Sequence, residues 1–505
     1  MLAPRKSAVP LRRLPRGRIS LSLLSMFAAL LALAYLADAF VLPARSGRIF
    51  AFRSLIGAAI LMLLLLTGWG LLMVLVGSPL AAALAMAGLT ALLVVVSNAK
   101  WRLLGEPLLF SDFALLAAVF RHPQFYFSAL APWQRTGLLL LALALGPLMV
   151  WMMLNGSLTL RGGGLAVFCG SLVVMRWALR LPPLVRLAQT PDADTDVGRH
   201  GLFATLLLHF VRWRQAPDPQ PLPPIAPADL AKDDRLLVVV QCESFADPVT
   251  LFGDPALELP ALFAARRRAQ QWGDLAVSGF GAYTMRTEYG VIFGRSEAQL
   301  GFRRFDPYLT ALGETSYALP QRLAAGGWRS LFVHPHDMHF YNRAEILAAG
   351  GFAELIGEDR FAPPGPSEGR YVTDAAIADV IVDLAHAAHG PTLIYAVTIE
   401  NHGPWDAGGN DLREGYLSLV RKGDAMLGSL IERLDRIDRP VTLAFFGDHR
   451  PSIPGHVLPG GDRHTPYVIL DLGKGASRQS RTAGSTGITT VGLHQALLAA
   501  AMRPL

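Results

Sequence analysis

Two hydrophobic rhythms divide the chain. In the first 182 residues, five apolar segments follow one another at roughly 19–41, 54–76, 79–96, 137–153 and 164–181. Each is close to the ~20 residues that cross a bilayer as a helix. Past residue 234 the apolar runs shorten to 235–240, 330–333, 392–397, 442–446 and 467–470. Helical stretches at 260–271, 319–325, 374–386 and 416–434 lie between them. Alternation of this kind predicts a mostly parallel sheet covered on both faces. Residues 217–227 hold six prolines spaced by small and polar residues, a composition that favours an extended, semi-rigid connector. The expected organisation is therefore a five-helix transmembrane domain (1–182), a membrane-proximal segment and Pro-rich linker (183–234) and an α/β domain (235–505).

Two further stretches carry an apolar face. Ser111 or Asp112 can cap a short helix that puts Phe113, Leu116 and Phe120 on one side, with Phe125, Tyr126 and Phe127 beyond. It reads either as a segment on the outer membrane face or as an amphipathic loop packed on the spans. Residues 201–213 allow the same reading.

Composition agrees with a membrane portion, since 52% hydrophobic and 17% charged residues are too apolar for an ordinary soluble chain. Of the formal charge of +7, Arg5, Lys6, Arg12, Arg13, Arg16 and Arg18 supply six before the first apolar run. The remainder is nearly neutral, so the basic balance points to a cytoplasmic flank and away from nucleic acid. Ala37-Asp38-Ala39 resembles a signal-peptide processing site, but the segment is long and four more follow, which favours an uncleaved span. Five crossings from an inside N-terminus place the α/β domain outside the cytoplasm, with Arg45, Arg48 and Arg53 in the first outer loop running against the charge rule. Cys169 lies in an apolar segment and Cys242 at a strand end, so no disulfide framework is expected.

The run Val441 to Phe446 stops on Gly447, Asp448, His449 and Arg450. In an open α/β sheet the crevice beyond the strand carboxyl ends is where ligands bind. Asp448 and His449 offer oxygen and nitrogen to a divalent cation there, although a capping Asp and a satisfied imidazole would explain this stretch alone. The run ending at Gln241 delivers Glu243 to the same edge. Glu, Asp and His together suit Mn²⁺, Mg²⁺ or Zn²⁺. The loop Ser278-Gly-Phe-Gly-Ala-Tyr-Thr-Met-Arg-Thr-Glu-Tyr289 supplies a hydroxyl, because Thr284 stands near a predicted helix N-terminus where amides and dipole favour phosphate. Thr284 as a simple N-cap is the competing reading. His334, His336 and His339 read as solvated or substrate-facing rather than as a second metal cluster.

Taken together, Glu243-Ser-Phe, Gly281-Ala-Tyr-Thr-Met-Arg-Thr-Glu288-Tyr289, His334 nine residues before Arg343, Asn401-His402 and Gly447-Asp-His449 resemble the lipoteichoic acid synthase and phosphoglycerol transferase family of the alkaline phosphatase and sulfatase superfamily. The similarity covers about residues 230 to 470, and the five spans with Gly105-Glu-Pro and Ser111-Asp112 fit the family's membrane half. The resemblance implies a metal, commonly Mn²⁺, held by Glu243, Thr284, Asp448 and His449, with Thr284 as nucleophile. It also implies that His334, Tyr341, Arg343 and His402 contact the phosphoglycerol group. Tyr341 stands where the family often has Trp. His464, before the last core strand, is a lesser candidate.

The expected activity is transfer of glycerol phosphate from a phosphatidylglycerol-type lipid to a glycan or polymer, through a phosphothreonine ester, at the bacterial inner membrane. Phosphoethanolamine transfer or sulfatase-type hydrolysis on the same fold is the nearer alternative. A sulfatase would want a Cys- or Ser-led formylglycine motif that Thr284-Met-Arg-Thr287 lacks, and phosphoethanolamine transferases usually bring several disulfides. A membrane-anchored anion sensor or transporter is the alternative from another class.

Overall fold

The apolar runs settle into two different environments in the computed structural model, which describes residues 16–44, 53–115, 132–231, 233–365, 369–405, 411–475 and 484–502. Two compact units result: residues up to Asn98 with Leu130–Leu208, and Ala99–Ala129 with His209–Leu505.

In the first unit, the long helices are α1 (Arg16–Ala39), α2 (Leu55–Val76), α3 (Pro79–Leu104), α4 (Pro132–Asn155) and α5 (Leu158–Ala178). Three of them, α2, α3 and α5, are long and apolar enough to cross a membrane, while α1 and α4 contribute the shorter apolar stretches Leu23–Ala39 and Ala142–Asn155. The five expected spans thus correspond to five helices, of which three meet the span criterion among the described residues. α2 and α5 approach closely because glycines face each other. A Cβ on Gly70 would come within 2.7 Å of the Phe168 amide nitrogen, and one on Gly164 within 2.6 Å of Met73 Cβ. Small residues at such a crossing allow backbone contact where lipid supplies no hydrophobic drive.

The second unit is built on an eight-stranded sheet: β1 (Leu236–Cys242), β2 (Gln271–Ala276), β3 (Arg329–Val333), β4 (Glu354–Ile356), β5 (Thr392–Val397), β6 (Pro440–Gly447), β7 (His464–Gly473) and β8 (Ile488–Thr489). Its order is β4-β3-β5-β1-β6-β7-β2-β8. Pairings from β4 through β6 are parallel, whereas β7 runs antiparallel to both β6 and β2, so the sheet is mixed. The central strands β1 and β5 are buried at every position. That is why they read as unbroken apolar runs rather than alternating ones. Each Val or Leu there contributes ~1.5–3 kcal/mol by leaving water.

Helices cover both faces. After α6 (Leu202–Gln215), which precedes the sheet in the chain, these helices include α7 (Pro260–Arg268), α8 (Thr284–Phe293), α9 (Asp374–Ala387), α10 (Leu412–Leu434) and α11 (Thr490–Met502). One face packs Leu262, Ile377, Ile381, Val420 and Leu427 under α7, α9 and α10. The other packs Tyr289, Ile292, Phe293, Leu493 and Leu497 under α8 and α11.

Several expectations are corrected here. Gln271, read as the end of a helix, opens β2, because α7 stops at Arg268 after three consecutive arginines. The edge strands β4 and β8, and β2 beside β8, carry too few consecutive apolar residues to be read from pattern. Of the segment expected either on the outer membrane face or as an amphipathic loop, only the start is described. α3 continues to Leu104, and a short 3₁₀ turn spans Phe110–Leu115, while residues 116–131, including Leu116, Phe120 and Phe125–Phe127, lie outside the described residues. Phe110 stacks on Trp213 at 5.5 Å and meets Phe305 edge-on at 6.2 Å, within the second unit. In α6, Ala204 and Leu208 bury against Ile60, and His209 stacks on Phe305 at 5.5 Å, while Phe210 stays exposed. The proline-rich stretch has no regular structure, yet Leu222 and Gln220 are held by Ser316 and Tyr317 through bonds of 3.0 and 2.8 Å.

Gly447 ends β6 under tight constraint, since a Cβ there would fall 1.8 Å from the Phe245 carbonyl oxygen. Both atoms belong to backbone segments that carry site residues. Gly447→Ala is expected to cost ~1–3 kcal/mol, read as a lower thermal midpoint, together with weakened divalent-cation binding because Asp448 and His449 move with the strand end.

Candidate active site and metal centre

Parallel pairing places the carboxyl ends of β1 and β6 side by side, with Cys242 opposite Gly447 in register. The residues that follow each strand are therefore delivered together. Glu243, Asp448 and His449 offer ligand atoms that all lie within 4.8 Å of one another, and all three are buried. His449 Nε2 stands 3.4 Å from Glu243 Oε1 and 3.5 Å from Asp448 Oδ2.

Backbone and side-chain bonds fix each member. Asp448 Oδ1 accepts from the amides of Ser244 and His449 at 2.7 and 2.8 Å. Its Oδ2 is buried and has no hydrogen-bond donor. Glu243 Oε1 accepts from Ser244 Oγ at 2.8 Å, and its amide donates to Thr398 Oγ1 at 3.0 Å. His449 Nδ1 lies 3.1 Å from the Arg450 carbonyl. A proton on Nδ1 satisfies that carbonyl, so that once the imidazole gives up its second proton the Nε2 lone pair faces the two carboxylates, the orientation of a ligating imidazole.

Thr284 joins the group from a third element. It is the first residue of α8, whose cap position is taken by Tyr283, so its hydroxyl does not cap the helix. Instead Thr284 Oγ1 donates to Glu243 Oε2 at 3.3 Å. Gln241 Nε2 donates to the Thr284 carbonyl at 3.3 Å, and Tyr395 donates to Gln241 Oε1 at 2.8 Å. Gln241, a fully buried amide near the end of the otherwise apolar β1, thereby ties the strand to the start of α8.

Burial opposes ionisation of all three members of the group, and their mutual charges decide the outcome. The hydrogen bond and charge of His449 hold Glu243 down at about 2. The Glu243 charge adds to burial in pushing Asp448 up to about 7. Asp448 and then Glu243 lift His449 to about 9. Two carboxylates and an imidazole in so small a volume, with a buried carboxylate oxygen lacking any donor, form a donor set that suits a hard-to-borderline dication. A cation would displace the protons carried by Asp448 and His449. Mn²⁺ binding to the metal-free protein is therefore expected to release protons and to tighten about tenfold or more from pH 6 to pH 8. Calorimetry at both pH values checks this, and equal affinities would contradict it.

The other expected site residues form a second group. His334 Nδ1 lies 3.0 Å from the Val397 carbonyl, and its Nε2 lies 3.1 Å from Arg343 Nη1. Burial and the Arg343 charge keep His334 well below the usual imidazole range, so it is neutral, with Nδ1 donating and Nε2 accepting. Arg343 is only 2% exposed and is engaged mainly by Glu288, to which Nε and Nη2 donate at 3.1 and 3.0 Å. Tyr341 holds a left-handed backbone (φ 60°), and its ring lies 5.3 Å from the Arg343 guanidinium. The charge of His402 helps to hold Glu243 down, which places it near the first group. His402 also packs on the Tyr371 ring at 5.8 Å. His464 is exposed at the start of β7, and its Nδ1 lies 2.9 Å from Asp462 Oδ1. Among the described residues, the His334, His336 and His339 loop forms no metal-type cluster.

Residues 235–501 match the sulfatase family model. The chain is 31% identical over 414 residues to the capsular polysaccharide biosynthesis protein RkpI of Rhizobium meliloti (strain 1021), covering 75% of each. It is 26% identical over 249 residues to a putative cyclic β-1,2-glucan modification protein of the same organism, spanning 46% of this chain and 38% of that relative. Among solved structures, the integral membrane lipooligosaccharide phosphoethanolamine transferase A of Neisseria meningitidis aligns over 96% of this chain and 95% of its own, with a TM-score of 0.50 and 11% identity. The Streptococcus pyogenes phosphoglycerol transferase GacH, in complex with sn-glycerol-1-phosphate, aligns over 54% of this chain and 76% of its own, with a TM-score of 0.43 and 18% identity.

Proposed function

This chain belongs to the sulfatase family, and from that premise we propose that it is a membrane-bound phosphoglycerol transferase whose nucleophile is Thr284. One observation carries the reading. A threonine hydroxyl, rather than the cysteine or serine of a formylglycine motif, meets the buried Glu243, Asp448 and His449 group at the first residue of a helix.

Glu243, Asp448, His449 and Thr284 would hold the divalent metal, with Mn²⁺ the leading choice. When bound, it supplies charge neutralisation and lowers the cost of ionising the threonine. The chain's own residues do the rest. Glu243 Oε2 accepts the Thr284 hydroxyl hydrogen bond and orients the oxygen. Thr284 Oγ forms the new bond to the donor phosphorus as the diacylglycerol oxygen departs with a proton. The amides at the start of α8 face the phosphoryl oxygens. An acceptor hydroxyl then attacks phosphorus, gives up its proton and releases Thr284. His334, Tyr341, Arg343 and His402 line the phosphoglycerol side, with His334 as a neutral hydrogen-bonding group.

Five crossings with the basic N-terminus inside would leave the sulfatase-like domain outside the cytoplasm, at the inner membrane of a bacterium. The two relatives, a capsular polysaccharide biosynthesis protein and a putative cyclic β-1,2-glucan modification protein, favour a glycan acceptor over a free glycerol phosphate polymer. The test is incubation of the full-length protein with Mn²⁺ and phosphatidylglycerol labelled in the headgroup, without acceptor. Diacylglycerol release with label trapped on the Thr284 peptide is expected. Equal labelling from phosphatidylethanolamine would move the assignment to phosphoethanolamine transfer. Neither donor labelling the protein would defeat both.

A further inference from the structure

Beyond the residues that face the substrate, the strap from Lys100 to Asp112 places one carboxylate where it controls the nucleophile. We propose that Glu106 is a positioning residue for Thr284, acting through Arg286 and Tyr283. The proposal rests on Thr284 being the nucleophile.

The backbone at Tyr283 is where positioning is needed. Tyr283 precedes Thr284 with φ 77° and ψ 34°, a left-handed conformation for a large aromatic residue. Such a residue costs ~1–3 kcal/mol and persists only where its surroundings over-determine it. Here the determinant is a stack. The Arg286 guanidinium lies 3.7 Å from the centre of the Tyr283 ring, and Lys100 Nζ lies 5.6 Å from that ring. Arg286 in turn donates through Nε to the Phe305 carbonyl at 3.0 Å and through Nη1 to Glu106 Oε1 at 2.7 Å. The pair is buried, with side-chain exposures of 3% for Arg286 and 12% for Glu106. Against the effect of burial, the Arg286 charge holds the Glu106 carboxyl down at about 2, so the contact is ionic throughout the physiological range.

The same strap touches both loops of the candidate active site. Ser452, four residues beyond Asp448, donates through Oγ to the Leu103 carbonyl at 2.6 Å. A Cβ on Gly281 would meet Ser452 Cβ at 2.5 Å and Leu104 Cδ2 at 3.2 Å, and Gly281 itself sits at φ 65°. The Gly281 amide donates to the Arg450 carbonyl at 2.8 Å. The strap therefore bears on the loop that carries Thr284 and on the loop that follows Asp448 and His449, while Glu106 lies outside the metal-type group. Loss of its charge leaves a buried guanidinium without a counter-ion. That frees the stack which holds Tyr283, and with it the direction of the Thr284 hydroxyl.

Glu106→Gln in the full-length protein keeps size and removes the charge. Donor release is expected to lose ~10²-fold in kcat, the scale of a nucleophile displaced by an ångström, with KM for phosphatidylglycerol and Mn²⁺ affinity within about threefold of the parent protein. A purely structural role would instead lower the folded fraction, the cation affinity and the thermal midpoint together. Arg286→Lys provides the second variant if Glu106→Gln fails to fold. It keeps a cation for Glu106 but loses the flat stack on Tyr283, and the same kcat loss at constant KM is expected. Unchanged kcat in either folded variant, or parallel loss of cation affinity, overturns the proposal. If phosphatidylglycerol labels the parent protein on Thr284 while Glu106→Gln turns over normally, only the positioning role falls. If Thr284 is never labelled, the nucleophile assignment falls first.

Discussion

Replacing Thr284 with alanine is expected to reduce diacylglycerol release from phosphatidylglycerol by at least ~10³-fold and to abolish covalent labelling of the protein. The size of the effect follows from how little else stands at that point. Thr284 Oγ1 is the hydroxyl bonded to Glu243 Oε2. Ser244 Oγ also bonds to Glu243, on Oε1, but Ser244 directs its amide to Asp448 and has a left-handed backbone at φ 51°. Thr284→Ser keeps the oxygen and is expected to retain measurable labelling, whereas Thr284→Ala should leave folding intact, because the change removes a hydroxyl and a methyl from the edge of a well-packed helix. Calorimetric titration with Mn²⁺ accompanies the kinetics. Cation affinity falling by no more than the loss of one weak ligand, with label abolished, supports the nucleophile. Undiminished diacylglycerol release in Thr284→Ala would mean that water or another side chain attacks.

The grouping of Glu243, Asp448 and His449 was legible in the sequence for a physical reason. Buried parallel strands must be apolar throughout, so the first polar residues after β1 and β6 announce themselves, and equal registers put Glu243, Asp448 and His449 at one edge. Thr284 was legible through its glycine-rich approach and its place at a helix N-terminus, but the left-handed cap at Tyr283 was not. A non-glycine residue at positive φ leaves no mark in a hydrophobicity pattern. β4 escaped detection because it is a three-residue edge strand, and β2 because Gln271, Gly273 and Asp274 interrupt its apolar positions and it is only partly buried. The strap around Glu106 was read for Gly105-Glu-Pro and Ser111-Asp112 and for the aromatic face beyond them, not for a charge pair. Its charged partner Arg286 lies 180 positions away, and no local spacing rule relates the two.

Arg343 illustrates the opposite case, a residue whose chemistry was legible and whose environment was not, and it motivates the second large effect. Glu288→Ala is expected to destabilise the protein by ~3–5 kcal/mol, a large share of the ~5–15 kcal/mol typical of a folded domain. Glu288 is fully buried in α8 and accepts from Tyr308 at 2.6 Å as well as from the Arg343 guanidinium. Removing it strands a cation that is also fully enclosed. Much of the loss is the desolvation of Arg343 rather than the worth of the pair, so removing both charges should restore stability. Glu288→Met with Arg343→Met is expected to recover most of the thermal midpoint lost by Glu288→Ala. Transfer, however, is expected to stay at least ~10-fold below the parent protein, because Arg343 Nη1 is the donor that meets His334 Nε2, and a methionine cannot replace it. Melting curves and donor-release rates measured on the same preparations separate the two contributions. If the double variant regained stability and full turnover together, Arg343 would serve only to neutralise Glu288, and the phosphoglycerol side of the site would have to be built from His334, Tyr341 and His402 without it.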